Sequence, residues 1–254
     1  MANPSPSSQP IIVIPARLAA TRLPDKPLAD IAGEPMIVHV WRRAVAANLG
    51  PVLVAAGDRA IKDAIERVGG RAVLTDPAHP SGSDRVFEAV QAVDPLGAHG
   101  VVVNLQGDLP TLDPALVRAV VALLDDPGID IATLAVAIRE ESERTAAHVV
   151  KAVVSAAPGA ARGRALYFSR QMVPWGEGPH FHHIGIYAYR RAALARFVAL
   201  PPAPLEAREK LEQLRALEAG MRIEVGFVDT VPLGVDTPAD LARARAILGD
   251  KSGT

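Results

Sequence analysis

Four short, predominantly apolar runs, many of their residues β-branched, occupy positions 11–14, 52–55, 101–105 and 131–137, broken only by Asn104 and Thr133. Runs without polar alternation suit strands covered on both faces rather than strands with one wet face. Between and after them, apolar positions recur at helical spacing over 35–47, 59–68, 84–93 and 114–124. The alternation β-α-β-α-β-α-β predicts an α/β fold with a mostly parallel, doubly wound, Rossmann-like sheet. The pattern then changes, because 149–155, 165–169 and 182–190 are strand-like with no clear helix between the first two. A small antiparallel insertion at about 155–190 fits that change. Helical patterns return at 191–200 and 205–219, followed by a strand at 222–227 and a last helix at about 238–248. No internal repeat interrupts this order, so residues 11–250 are expected to form a single domain. Residues 1–10, MANPSPSSQP, are rich in Ser and Pro and carry no periodicity, which predicts a disordered lead-in.

Composition narrows the chemistry. With 254 residues, 49% of them hydrophobic, the chain can bury a large core. A formal net charge of −1 argues against a general nucleic-acid surface, so an anionic ligand must be met by local cations. The chain has no cysteine, which excludes disulfides, thiolate metal sites and cysteine nucleophiles. No apolar run approaches the roughly 18 residues of a membrane span, and the first ten residues lack the marks of a secretory leader. Work in the cytoplasm, with no membrane partner, is the expectation.

Three cations, Arg17, Arg22 and Lys26, follow the first strand in the run Pro15-Ala16-Arg17-Leu18-Ala19-Ala20-Thr21-Arg22-Leu23-Pro24-Asp25-Lys26. Ligands of open α/β sheets bind at the carboxyl ends of strands. No glycine lies in this stretch and no Walker pattern is present, so phosphate would be neutralised by guanidinium and ammonium groups. An ordinary solvated basic loop is equally compatible with the run. After the third apolar run comes Gln106-Gly107-Asp108. Gly107 permits close backbone approach, and Asp108 is a hard oxygen donor of the kind Mg²⁺ takes; a plain Gly-Asp turn is the blander reading. Gly234-Val235-Asp236-Thr237-Pro238 places a second carboxylate just before a helix, where Asp236 reads either as a cap or as the partner of Asp108 in a metal site. Pro80-Ser81-Gly82-Ser83-Asp84-Arg85 opens a helix, with Ser83 as its simplest cap or with free N–H groups turned to an anion or a base edge. His182-His183-Ile184-Gly185-Ile186-Tyr187 and the charged stretch 206–215 gather groups suited to a polyhydroxylated acid, although an alternating strand face and a helix laced by i, i+3 and i, i+4 pairs account for them too.

Taken in order, IPARLAATRLPDKPLADIAGEPMIVHV, NLQGDLP, ALYFSR, HIGIYAYR, LEQLRALEAG and GVDTPADL resemble the motifs of the 3-deoxy-manno-octulosonate (Kdo) cytidylyltransferases, from about residue 11 to residue 248. The resemblance implies a nucleotidyltransferase-type α/β fold, a homodimer, Mg²⁺, and conversion of CTP and Kdo to CMP-Kdo and pyrophosphate for lipopolysaccharide synthesis. It implies that Arg17, Arg22 and Lys26 hold the triphosphate, with Arg22, Lys26, Asp108 and Asp236 the catalytic group. Pro15, Ala16, Ser81, Gly82, Arg85 and Gln106 would cradle the cytidine beside Arg17. Asp108 and Asp236 would bind the metal, and Arg170, His183, Tyr187, Glu212 and Gln213 would line the Kdo pocket. The insertion at about 155–190 would serve sugar binding and dimerisation. The chain departs from the family pattern at Leu109, where an acidic residue is usual, and at Ala146-Ala147-His148. Other readings are a cytidylyltransferase for 8-amino-Kdo or sialic acid, the latter disfavoured by a first loop without glycine, and a non-catalytic nucleotide-binding regulator.

Overall fold

The structure is a computed structural model, and it describes residues 9–19 and 23–249. The chain divides into two compact units, residues 1–118 with 232–254, and residues 119–231. Of the expected lead-in, residues 1–8 lie outside the described residues, and Pro10 is buried.

In the first unit, β1 (Ile11–Ala16) leads through a short 3₁₀ turn (Lys26–Leu28) to a hairpin of β2 (Asp30–Ile31) and β3 (Glu34–Pro35), then α1 (Met36–Ala46), β4 (Val52–Ala56), α2 (Arg59–Arg67), β5 (Arg71–Leu74), α3 (Gly82–Val93), β6 (Val101–Leu105) and α4 (Pro114–Ala122). Four strands lie in the order β5-β4-β1-β6, every pair parallel. Ile12, Val13 and Ile14 are wholly buried, as the unbroken apolar run requires of a strand covered on both faces. Each such side chain contributes about 1.5–3 kcal/mol on leaving water. The β5 strand escapes the sequence pattern because it is an edge strand whose Arg71 and Leu74 are exposed. At the β2–β3 turn, Ala32 (φ 50°) and Gly33 (φ 84°) are both left-handed, the arrangement of a two-residue hairpin turn that matches the twist of its strands. The C-terminal helix (Pro238–Gly249) returns to this unit, where Val235, Leu241, Ala244 and Leu248 pack with Ile31 and Met36.

The second unit holds β7 (Ile131–Ala137), α5 (Glu141–Thr145), β8 (Lys151–Ser155), β9 (Arg162–Ser169), β10 (Phe181–Arg190), α6 (Arg191–Val198), α7 (Pro204–Glu209), α8 (Gln213–Glu218) and β11 (Ile223–Val228). Its strands run β10-β7-β11-β9-β8, and β8 pairs back onto β10, closing a five-stranded, barrel-like sheet. Only β7–β11 is parallel. This corrects the expected small antiparallel insertion: the antiparallel pairing extends to β7 and β11, because closure leaves no edge for them to present. A register shift in β10 between Ile184 and Tyr187 leaves two carbonyls at the bulge. The buried Thr133 hydroxyl lies 3.1 Å from Ile184 O and 2.9 Å from Ile186 O, and shares its one proton between them.

The single helix expected over 205–219 is two short helices, α7 and α8. Lys210 between them takes φ 58°, the left-handed end of α7, and donates its N–H to Glu206 O at 2.8 Å. Before the break, the Glu209 carboxylate accepts from Ser169 Oγ (2.8 Å) and Arg170 N (3.0 Å).

Candidate functional site

In the first unit, the carboxyl ends of β1 and β6 and the start of α3 enclose an open cleft of about 280 Å³. Pro15, Ala16, Arg17, Ser81, Gly82, Arg85 and Gln106 all line it, together with Lys26, Gly107 and Asp108. Two backbone devices bring these segments together. A Cβ on Gly107 would lie 2.8 Å from the Pro15 carbonyl, so only glycine lets the loops after β1 and β6 approach this closely. Helix α3 begins at Gly82 and is capped by Ser81, whose Oγ accepts from Asp84 N at 3.2 Å, two residues earlier than the expected Ser83. Ser83 is instead buried, receiving Asn104 Nδ2 at 3.4 Å.

Beside the cleft, Lys26 Nζ donates to Asp108 Oδ2 at 2.9 Å and to Asp236 Oδ1 at 3.0 Å. Burial pulls the ammonium pKa down, but Asp108 and then Asp236 outweigh it and hold Lys26 above its ordinary value. Lys26 therefore stays charged at neutral pH. The two carboxylates, distant in sequence, face one point that a cation fills. The loop positions are tied by the backbone as well, Val235 N donating to Asp108 O at 3.0 Å. Asp236 does not cap the helix that follows it: Thr237 and Asp240 form that cap, Thr237 Oγ1 accepting from Asp240 N (3.2 Å) while Asp240 Oδ2 accepts from Thr237 N (2.9 Å). Burial raises the Asp240 carboxyl, yet bonds from Thr237, Arg243 and two backbone N–H groups bring it down to about 2. With the cap supplied by its neighbours, the Asp236 carboxylate reaches Lys26 instead.

Arg85 is buried, donating to Thr75 Oγ1 at 2.6 Å and Pro77 O at 3.4 Å. Burial and then the neighbouring Arg17 hold its pKa below the ordinary guanidinium value. Two guanidinium groups, Arg17 and Arg85, thus sit at one wall of the cleft. Arg22 lies outside the described residues. Leu109 is buried next to Gly234, so this departure from the family pattern adds apolar packing beside the loop that carries Asp236.

The second unit contains Arg170, His183, Tyr187, Glu212 and Gln213. His183 and Tyr187 are neighbours, ring centroids 5.5 Å apart. His183 Nε2 lies 3.0 Å from Thr133 Oγ1; because that hydroxyl donates to carbonyls, the imidazole donates from Nε2 and leaves Nδ1 as an acceptor. Burial, helped by His182, pushes His183 down to about 3, and burial, then Tyr189 and Glu212, pushes Tyr187 well up. Both are neutral at pH 7. Gln213 Nε2 is buried without a hydrogen-bond partner, a donor that a ligand would satisfy. The Arg170 guanidinium is tied to main-chain oxygens, Glu209 O at 2.9 Å, Ala147 O at 3.2 Å and Lys210 O at 3.4 Å. Glu212 approaches Arg215 at 3.5 Å, one of the i, i+3 pairs the charged stretch suggested. At Ala146-Ala147-His148 the contacts run through carbonyls, to Lys151 and Arg170, so the side-chain change there leaves them intact.

Three participants escaped the sequence reading. His79 lines the cleft, its ring Nε2 at 2.5 Å from Glu88 Oε2. Glu209 holds Ser169 and Arg170 but reads as an ordinary helical charge. Lys151 is fully buried, its ammonium donating to Ala146 O (2.9 Å), Val149 O (2.7 Å) and Arg170 O (2.9 Å). Its only sequence signal is a lysine opening an apolar strand.

A family model described as cytidylyltransferase matches residues 11–223. The 3-deoxy-manno-octulosonate cytidylyltransferase of Rhodospirillum centenum is 71% identical over 244 residues, 96% of this chain and 95% of that protein. Its counterpart in Paramagnetospirillum magneticum is 66% identical over 239 residues, 94% of this chain and 97% of that protein. Among solved structures, a CMP:2-keto-3-deoxy-manno-octonic acid synthetase complexed with CTP superposes with a TM-score of 0.88 at 40% identity, covering 96% of this chain and 100% of that one. A nucleotidyl transferase from Methanothermobacter shares the fold alone, with a TM-score of 0.61 at 15% identity over 96% of this chain and 100% of that one. The α/β architecture is therefore of nucleotidyltransferase type.

Proposed function

The chain belongs to the cytidylyltransferase family, its activity is that of a 3-deoxy-manno-octulosonate cytidylyltransferase, and from that premise we propose how its residues carry the reaction. CMP passes from CTP to Kdo, giving CMP-Kdo and pyrophosphate. The anomeric hydroxyl forms a bond to the α-phosphorus as the bond to the pyrophosphate oxygen breaks.

The convergence of Asp108 and Asp236 on a single cation, at the edge of a cleft walled by Arg17 and Arg85, carries the proposal. Two carboxylate oxygens directed at one point are the hard donor set that Mg²⁺ accepts, and MgCTP brings further oxygens of its own. When bound, Mg²⁺ would supply charge neutralisation on the phosphates and acidify a coordinated hydroxyl. Asp108 and Asp236 would hold that position, and Lys26 would serve the triphosphate with Arg17 and Arg22. Pro15, Ala16, Ser81, Gly82, Arg85 and Gln106 receive the nucleoside. No covalent intermediate with the protein is needed, and positioning with charge stabilisation provides the rate. In the second unit, His183 Nδ1, the Tyr187 hydroxyl and the orphaned Gln213 amide offer hydrogen bonds to sugar hydroxyls, with Glu212 as a further acceptor and Arg170 as the cation for the sugar carboxylate.

Homodimer formation belongs to the same proposal, supported by apolar surface at Trp175 (97% exposed) and Met172 (46% exposed). Among the described residues no helix is long and apolar enough to cross a membrane. The cytoplasm, where CTP is available, is the proposed place of work, with the product feeding lipopolysaccharide synthesis.

Pyrophosphate release with CTP and Mg²⁺, comparing Kdo, 8-amino-Kdo and sialic acid and using UTP as the nucleotide control, tests the substrates. In the same assay Asp108→Asn and Asp236→Asn are each expected to lower kcat by about 10²–10³-fold while CTP still binds. Turnover near wild type in either variant refutes the two-carboxylate site.

A further inference from the structure

Asp58 occupies the position immediately before α2, in extended conformation (φ −139°, ψ 142°), where an Asp side chain ordinarily accepts the free N–H groups of its own helix. It makes no such bond. Its Oδ2 instead accepts Leu18 N at 2.8 Å, forty residues back, in the loop that follows β1. The adjoining Gly57 N donates to Ala16 O at 2.8 Å. A Cβ on Gly57 would stand 3.2 Å from Arg17 Cβ and 2.8 Å from Arg85 Nη1. Residues 57 and 58 therefore pass directly against residues 16–18, and each bond they make falls on one side or the other of Arg17. A helix start that forgoes its own cap gives up about 1 kcal/mol of local stability. The carboxylate is spent on the loop.

We propose that Asp58 is a positioning residue for the nucleotide: by clamping the Leu18 amide it fixes the exit of the β1 loop and so aims Arg17 into the cleft. This rests on the reading of the cleft as the CTP site. The clamp joins backbone to carboxylate, so its effect falls on nucleotide affinity and leaves the chemistry of bound substrate almost unchanged.

Two variants separate positioning from fold maintenance. In Asp58→Asn the side-chain oxygen remains an acceptor, whereas in Asp58→Ser the hydroxyl is one bond too short for Leu18 but well suited to capping α2. Asp58→Ser is expected to raise the KM for CTP about tenfold with kcat and the KM for Kdo within about twofold of wild type, and with Tm equal or higher. Asp58→Asn is expected to keep the KM for CTP within about threefold. An unchanged KM for CTP in Asp58→Ser overturns the proposal. So does a fall in Tm together with equal losses in kcat and both KM values, which marks a purely structural role. Asn as weak as Ser also overturns it, since charge rather than geometry would then be at work. Equilibrium CTP binding to wild-type protein serves as the control: its absence refutes the CTP reading of the cleft itself and is distinct from any failure of the clamp.

Discussion

Acidification should unfold this protein through His183. The imidazole is 9% exposed and its folded-state pKa is about 3, against 6.5 for the free side chain. Because the folded value is the lower one, the unfolded chain takes up a proton between pH 6.5 and about 3 that the folded chain refuses. Stability is therefore complete above about pH 6.5, declines as pH falls through that window, and reaches its full loss below about 3. At about 1.4 kcal/mol per pH unit, the span from 6.5 to 3 sets a ceiling of roughly 5 kcal/mol, and between pH 7 and 4 this residue alone removes roughly 3 kcal/mol. Replacing it with Phe abolishes the titration but keeps a ring to meet Phe168 (4.9 Å) and Tyr187 (5.5 Å). Thr133 retains its carbonyl partners in that variant. Urea unfolding followed by circular dichroism from pH 7 to pH 4 should give a shallower fall for His183→Phe than for wild type, the difference between the two shifting by roughly 3 kcal/mol in the variant's favour as pH drops. Carboxylates such as Asp240 titrate in both proteins and cancel in the comparison. Parallel curves, separated by a constant, would refute the reasoning, since they would mean that the buried imidazole is no harder to protonate than a free one.

Lys26→Met removes the cation that lies between Asp108 and Asp236. Titration with Mn²⁺ in the absence of nucleotide, read by electron paramagnetic resonance, should show about tenfold tighter binding than wild type; unchanged or weaker binding would mean that Lys26 does not stand in the cation position. Lys151→Met leaves three carbonyls, that of Val149 buried and those of Ala146 and Arg170 partly so, without their shared donor. A loss of about 3–5 kcal/mol is expected from a lowered denaturant midpoint, and a loss below about 1 kcal/mol would show that water replaces the ammonium there.

The strands of the first unit were legible because burial on both faces writes itself into sequence as an unbroken apolar run. Ile11 to Ile14 and Val52 to Ala55 are such runs, and a loop rich in Arg and Lys at the end of the first one pointed to the cleft. What pairs with what in the second unit was not legible. Closure of β8 onto β10 rests on Phe181 opposite Ala152 and His182 opposite Lys151, contacts that leave no local pattern. The break at Lys210 carries neither Gly nor Pro, and the left-handed turn is sustained by the bonds that Glu206 and Glu209, both ahead of it in the chain, make to Lys210 N, Ser169 and Arg170. Asp58 and Asp236 expose the limit most clearly. Both look like caps, and in both the side chain is turned away from its own helix toward a distant partner, a choice made by tertiary packing and invisible to spacing.

Lys26 and Asp236 stand 210 positions apart, and this sets the order in which the protein matures. During synthesis the β1 loop, the cleft and Asp108 leave the ribosome well before the segment bearing Asp236 does. Until then Lys26 has one of its two carboxylate partners, Asp108. The second arrives only when the C-terminal helix docks its Val235, Leu241 and Leu248 beside Ile31 and Met36. A chain cut short before residue 236 would leave Lys26 with Asp108 alone and would uncover Ile31 and Met36, so the pairing of Lys26 with both carboxylates reports that the whole first unit has closed.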